Sequence, residues 1–431
     1  MIISNYMIKI YKKTYKNGLR ALAIPVLNNP TVSVMVMTAT GSNHENKDNN
    51  GVSHFLEHLH FKGTKKRPSS KMISEEFDRM GSINNASTGN EMTTYYAKGD
   101  SKNFSKMLDV ISDIYLNSTF PEKEIEKEKG VVIEEINMYE DLPQYQVSEL
   151  LEKLLYGDQP AGRSIAGTKE NIKKMTRNDI INYKEKNYVA EKTLVVVAGK
   201  IDKKEVFREI EKSFKNIPVS KGLKAVKTKE SQKEPQVKTK NKKTDQTHIS
   251  FGFRTFSYRD KKNRSKALLL ASILGGSMSS RLFLKLREEM GVAYYVSAGS
   301  STQKDCGYLN IRAGVNNGRL KEVVLEILKE CERIANDGIN PRELNKAKTI
   351  RISRLKMALE SSDDIAYFYG AKELLLNENT SLSLQIKEIK SVTEEDIKKL
   401  AQKIFRNDNL NLAIIGPNLN EKEINKFCKF K

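Results

Sequence analysis

The chain contains five histidines, His44, His54, His58, His60 and His248, and three of them fall inside seven residues. In GVSHFLEHLHFKG the apolar residues Val52, Phe55, Leu56 and Leu59 follow i, i+3, i+4, i+7, which is the buried stripe of a helix. At about 100° per residue, His54, Glu57 and His58 then share the opposite face within an arc of roughly 100°. Two imidazoles at i and i+4 can point at one ion, and a carboxylate beside them can hold that ion's water. The plainer alternative is a surface helix whose polar face happens to carry two histidines, and the scarcity of histidine weighs against it. His60 points roughly 200° away from His58, toward the apolar side, and reads as a packed or hydrogen-bonded histidine. His248 falls on a predicted strand and His44 in the polar loop GSNHENKDN, so neither is assigned chemistry.

If the ion is a catalytic zinc, which normally takes three protein ligands and a water, two histidines require a further ligand elsewhere. The best source is PEKEIEKEKGVVIEEINMYED, where Pro121 and the acids Glu122 and Glu124 suit a helix start. With Ile125 as zero on the wheel, Val132 and Ile136 lie within about 20° of it. Glu128 and Glu135 fall next to that stripe, at roughly 300° and 280°, whereas Glu134 lies near 180°. Carboxylates beside a buried stripe need partners, and a metal ion is one. A helix edge paired with lysines is the other, and Lys129 and Ile133 blur the wheel enough to leave both open.

The motifs GVSHFLEHLHFKGTKKR and VVIEEINMYEDLPQ, with 76 residues between His58 and Glu135, resemble the pitrilysin/insulinase family of zinc metallopeptidases. His-x-x-Glu-His is the inverzincin order of the zinc-binding helix. The chain is most similar to the short bacterial and mitochondrial-processing-peptidase-type members, and the likeness continues through INNASTGNEMTTYYA and YGDQPAGRSIAGT. The resemblance implies one zinc ion per chain held by His54, His58 and Glu135, with Glu57 as general base and Glu128 as the second acid that orients the site. It implies a substrate-pairing edge segment at Asn85 and Ala86, although Ser87 stands where the family usually has an aromatic or hydrophobic residue. In GGSMSSRLFLKLREEMGVAYYVSAG it implies substrate contacts from Arg287 and Tyr294. Read without the family, Arg287 is a helix-surface partner of Glu288 or Glu289 and Tyr294 a strand packing residue.

These residues must be positioned by a larger architecture, and the chain repeats itself. MTRNDIINYKEKNYVAEKTLVVVAG (Met175 to Gly199) matches VTEEDIKKLAQKIFRNDNLNLAIIG (Val392 to Gly416) without a gap, and the same offset of 217 residues superposes TVSV at Thr31 on HISF at His248. The period is domain-sized, far longer than that of a solenoid. Each half begins with a β-rich stretch and ends with a Val/Ile/Leu run, with amphipathic helical patterns such as Phe104 to Leu116 and Leu320 to Ile334 between. The expected fold is therefore α+β: two homologous tandem domains, each a mainly antiparallel sheet with helices packed on one face. Residues 1–218 form the expected zinc-binding domain and 219–246 a lysine-rich connection. Residues 247–431 form the homologous domain, in which Ala271, Leu274 and Gly275 stand where His54, Glu57 and His58 would be. Matching EIEKEK with ELNKAK likewise sets Ala347 at Glu128 and Arg354 at Glu135.

The chain of 431 residues has 74 Lys and Arg against 54 Asp and Glu, a formal charge of +20. Its 38% hydrophobic content and 10 prolines exclude wholesale disorder. The charge by itself raises a nucleic-acid binder, but a solvated lysine surface is the plainer reading, and the chemistry resides in histidines and glutamates. Three scattered cysteines fit no disulfide framework and point to a reducing compartment. The N-terminal MIISNYMIKIYKKTYKNG has no uninterrupted apolar region, and no run approaches the roughly 18 apolar residues of a spanning helix, so a soluble cytoplasmic protein without membrane or nucleic-acid partners is expected.

With the resemblance, the expected activity is zinc-dependent hydrolysis of unfolded peptides or presequences, the proton of the attacking water going to Glu57. Larger family members link four such domains into a closed chamber, so a homodimer is implied here, with Arg287 and Tyr294 of one protomer completing the zinc site of the other. A non-catalytic scaffold is the nearest competing reading, but such relatives usually lose zinc ligands, and all are present.

Overall fold

The computed structural model describes residues 8–378 and 381–431 and divides into two compact units. The reading of the N-terminal stretch concerns in part residues 1–7, which lie outside the described residues. Among the described residues, no helix is long and apolar enough to cross a membrane.

The first unit takes the chain up to Ile136, then Ser164–Val226 and Lys356–Ser381. Its six strands are β1 (Tyr11–Thr14), β2 (Arg20–Pro25), β3 (Thr31–Thr38), β4 (Ile83–Thr88), β5 (Thr93–Asp100) and β6 (Thr193–Gly199), ordered β1-β2-β6-β3-β5-β4. All neighbours are antiparallel except β2 and β6. Because side chains alternate along a strand, β3 serves two cores at once. Val32, Val34 and Val36 join the core that holds Phe55, Leu56 and Leu59, while Met35 and Met37 face the opposite way. There they meet Ile365, Ala366 and Tyr369 of the helix Ser362–Leu376. Gly370 of that helix lies so close that an added Cβ would stand 2.5 Å from the Met37 sulfur.

The second unit consists of Asn137–Arg163, Lys227–Leu355 and Leu382–Lys431. Its strands β7 (Gln236–Asn241), β8 (Thr247–Arg254), β9 (Ala293–Thr302), β10 (Gly307–Val315) and β11 (Leu410–Gly416) are ordered β7-β11-β8-β10-β9, with β7 and β11 the parallel pair. The order repeats that of the first sheet without its outermost strand. Here the helix Pro143–Tyr156 covers the far face, with Val147, Leu151 and Leu155 packed against Tyr308, Ala413 and Ile415.

The fold is thus the expected α+β duplication, with a group of helices on one face of each sheet. Two features go beyond the sequence reading. The compact units are interleaved in the chain, because Pro143–Tyr156 lies in the second unit and Ser362–Leu376 in the first. Central strands such as Thr193–Gly199 and Leu410–Gly416, buried at every position, are apolar on both faces, and the exchanged helices satisfy the second face. In addition, the lysine-rich stretch ends in a strand: Val237 is buried in the second core and Gln236–Asn241 pairs with β11.

Candidate metal centre

The helix Val52–Leu59 carries the His-x-x-Glu-His sequence. Val52, Phe55, Leu56 and Leu59 are at most 1% exposed and anchor it, so the face with His54, Glu57 and His58 turns away from the core. The helix starts after Gly51 at φ +100°, where an added Cβ would meet the Ala166 carbonyl oxygen at 2.8 Å. Both the backbone angle and the close approach require glycine.

The acidic helix Glu122–Asp141 buries Ile125, Glu128, Val132 and Ile136, leaving Glu135 partly exposed at the edge of that stripe and Glu134 exposed. Glu135 Oε2 lies 3.7 Å from His54 Nε2 and 3.5 Å from His58 Nε2. The two imidazole rings are 4.7 Å apart at 68°. One donor atom from each of His54, His58 and Glu135 falls within 4.8 Å of the others. Tetrahedral ligation at about 2.0–2.1 Å separates ligand atoms by roughly 3.3 Å, so the two imidazole–carboxylate distances suit a zinc ion. The donor chemistry agrees. Burial, then the neighbouring His58, pulls the His54 imidazole down to about 4, which keeps its ring neutral and able to ligate.

His58 is held from behind. Its Nδ1 lies 2.9 Å from Glu128 Oε1, and the other Glu128 oxygen pairs with Lys62 Nζ at 2.6 Å. Burial pulls His58 downward, but the Glu128 hydrogen bond and the charges of Glu57, Glu128 and Glu135 outweigh it and raise its pKa. Burial likewise opposes ionisation of Glu128, and its bonds to His58 and Lys62 win, holding the carboxyl below its ordinary range. A carboxylate on the second ring nitrogen fixes the tautomer and aim of a metal-ligating histidine. Glu57 ligates nothing in this group. It is half-buried, accepts a hydrogen bond from the Thr88 hydroxyl, and has its pKa raised chiefly by burial, against the lowering by Thr88 and His58.

The remaining candidates fall into two places. Asn85 and Ala86 lie on β4, which is paired only with β5 and is therefore a sheet edge; Ile83, Asn85 and Ser87 are its exposed residues. Arg287 and Tyr294 stand together in the second unit, where Arg287 donates to the Tyr294 carbonyl and Tyr294 is 70% exposed at the start of β9. The other histidines are placed without a role in the cluster. His60 is fully buried, donates to the Leu56 carbonyl at 2.7 Å, and packs among Tyr95, Tyr115 and Tyr188. His248 Nδ1 meets the Tyr295 hydroxyl at 3.0 Å.

Sequence reasoning missed Lys62, Thr88 and Glu45 as participants. Lys62 follows His58 by one helical turn, a spacing that could have drawn attention. Thr88 reaches Glu57 only through tertiary structure, and Glu45 binds the start of the ligand helix from a preceding loop.

The structure thus has two sheet-and-helix units of related strand order, one of which brings together a His-His-Glu group that could hold a metal ion. Two family models match the chain: the insulinase family (peptidase family M16) over residues 22–169 and the peptidase M16 inactive domain over residues 174–351. The uncharacterized zinc protease YmxG of Bacillus subtilis is 37% identical over 417 residues, spanning 96% of this chain and 99% of that protein. An uncharacterized zinc protease of Rickettsia bellii is 34% identical over 409 residues, spanning 94% and 96%. The chain therefore belongs to the insulinase family of peptidases, as one of its short two-domain members. A protease from Helicobacter pylori shares the fold at a TM-score of 0.89 and 24% identity, covering 95% of this chain and all of that one. A peptidase M16 inactive domain protein from Pseudomonas fluorescens does so at 0.88 and 18%, covering 96% and 100%.

Proposed function

We propose that the chain is a zinc endopeptidase that hydrolyses unfolded peptides or presequences, with one zinc ion held by His54, His58 and Glu135. The observation that carries this reading is the convergence of those three donors beside a carboxylate, Glu57, that is left free of the group. Zinc, when bound, supplies Lewis acidity toward a peptide carbonyl and toward water. Glu57 accepts the proton of the attacking water and returns it to the leaving amine; a carboxyl raised by burial suits both steps near neutral pH. Thr88 fixes the rotamer of Glu57, and Glu128 with Lys62 fixes the ring of His58. The free edge of β4 at Asn85 and Ala86 accepts an extended substrate by strand addition, which favours unfolded segments. Arg287 and Tyr294 anchor the substrate and steady charge developing on its carbonyl.

Digestion of a diverse peptide library by wild type and Glu57→Gln, with and without a chelator, tests this reading. Wild type cleaves and the chelator stops it; Glu57→Gln retains zinc and loses roughly 10²-fold or more of the rate, the range set by loss of a general base. Zinc uptake without any cleavage would instead favour a scaffold role.

The assembly we propose is a cytoplasmic homodimer in which Arg287 and Tyr294 of one protomer act at the zinc site of the other. Two units per chain and the presence of both residue sets in a single sequence support it. Mixing Glu57→Gln with Arg287→Ala chains under subunit exchange restores partial activity in this arrangement. No rescue would overturn it.

A further inference from the structure

The two histidines of the cluster are oriented by different means. His58 has Glu128 on its second ring nitrogen, whereas His54 Nδ1 is buried without a protein partner. The aim of His54 therefore depends on the backbone that carries it, and His54 lies in the first turn of its helix. The first amides of a helix have no partners within it and must find them elsewhere. The residue preceding this helix is Gly51, whose lack of a side chain leaves it unable to supply one.

Glu45 supplies one from the preceding loop, to the Ser53 amide next to His54, while the Val52 amide donates to the Asn49 carbonyl at 3.0 Å. Glu45 is 1% exposed, and both its carboxylate oxygens are engaged. Oε1 accepts from the Ser53 amide at 2.8 Å, while Oε2 accepts from the Gly51 amide at 2.8 Å and from Asn50 Nδ2 at 2.9 Å. Asn50 in turn donates to the Ser164 carbonyl at 3.0 Å, tying the loop to the segment that packs on Gly51. Ser53, adjacent to His54, is held a second time by its hydroxyl, 2.7 Å from that of Tyr183. Burying a carboxylate is costly unless its hydrogen bonds are made, and here a negative group also meets the positive end of a helix.

We infer that Glu45 is a positioning residue for the metal centre, holding the first turn of the ligand helix so that His54 converges with His58 and Glu135. The inference rests on the zinc reading above. Glu45→Gln keeps the shape but turns an NH2 donor toward amide donors, and the first turn loosens while the last turn, with His58, is untouched.

The test is the zinc Kd of wild type and Glu45→Gln by chelator competition, beside the urea midpoint and amide hydrogen exchange of the zinc-free proteins. The expected result is a Kd weaker by roughly 10–100-fold, the range for loss of a supporting partner, with faster exchange confined to residues 51–56. A Kd within twofold of wild type would overturn the inference alone, as would a lowered urea midpoint with an unchanged Kd. A wild-type chain that takes up no zinc would overturn the metal reading and this inference with it. Should Glu45→Gln not fold, Glu45→Asp answers the same question, and an unchanged Kd in it overturns the inference equally.

Discussion

The two units repeat one strand order, yet they use the space between the helix and the edge strand in opposite ways. In the first, the helix Val52–Leu59 and β4 are bridged by side chains, Glu57 to Thr88, and the polar face of the helix carries His54 and His58 of the group that could hold a metal. In the second, the corresponding helix Lys261–Gly275 sits directly on β9. Gly275, aligned with His58, is so close that an added Cβ would lie 2.5 Å from the Ala298 backbone nitrogen. Ala271 and Leu274, aligned with His54 and Glu57, are core residues at 3% and 0% exposure. The helix Pro341–Met357, matched to the acidic helix, offers a cation where the first offers a carboxylate: Arg354, aligned with Glu135, donates to the Gly276 carbonyl at 2.8 Å. A metal centre in this architecture thus requires a gap for imidazoles. Where the helix closes onto the sheet, apolar packing takes its place and a guanidinium caps the chain.

The largest test of this contrast changes one residue in each unit. His58→Ala is expected to lose bound zinc after dialysis and to fall to background peptide cleavage, because two donors do not replace three. Arg354→Gln is expected to keep its zinc and to lose about 1 kcal/mol or less of stability, the net worth of an exposed hydrogen bond. Metal analysis and urea unfolding read both, and zinc loss in Arg354→Gln would break the comparison. A smaller effect is expected at the closed helix. Gly275→Ala places a methyl against backbone and costs roughly 1–3 kcal/mol, as overpacking does, despite the better helix propensity of alanine. A lowered urea midpoint with unaltered zinc uptake supports this; an unchanged midpoint would mean that β9 yields freely.

Much of the site was legible because its residues lie on short helical repeats. The i, i+4 histidines follow from the apolar stripe of Val52, Phe55, Leu56 and Leu59, and the preference for Glu135 over Glu134 follows from Ile125, Val132 and Ile136. The support around the site was not legible. Thr88 and Glu45 reach the ligand helix across loops and strands, and no local period relates them to it. The exchange of Pro143–Tyr156 and Ser362–Leu376 between units was equally hidden, since an amphipathic helix does not state which sheet it covers.

Local periodicity, the internal repeat and the family's motifs were enough to establish the α+β duplication and to single out His54, His58 and Glu135, the residues the structure brings together in the first unit. Only the tertiary structure decided how that group is held and why the matched positions of the second half form none. Convergence of donors to within 4.8 Å, the carboxylate behind His58 and the contact that excludes a side chain at Gly275 are distances between segments remote in sequence. Such distances are set by how whole helices settle on sheets, and no single segment encodes them.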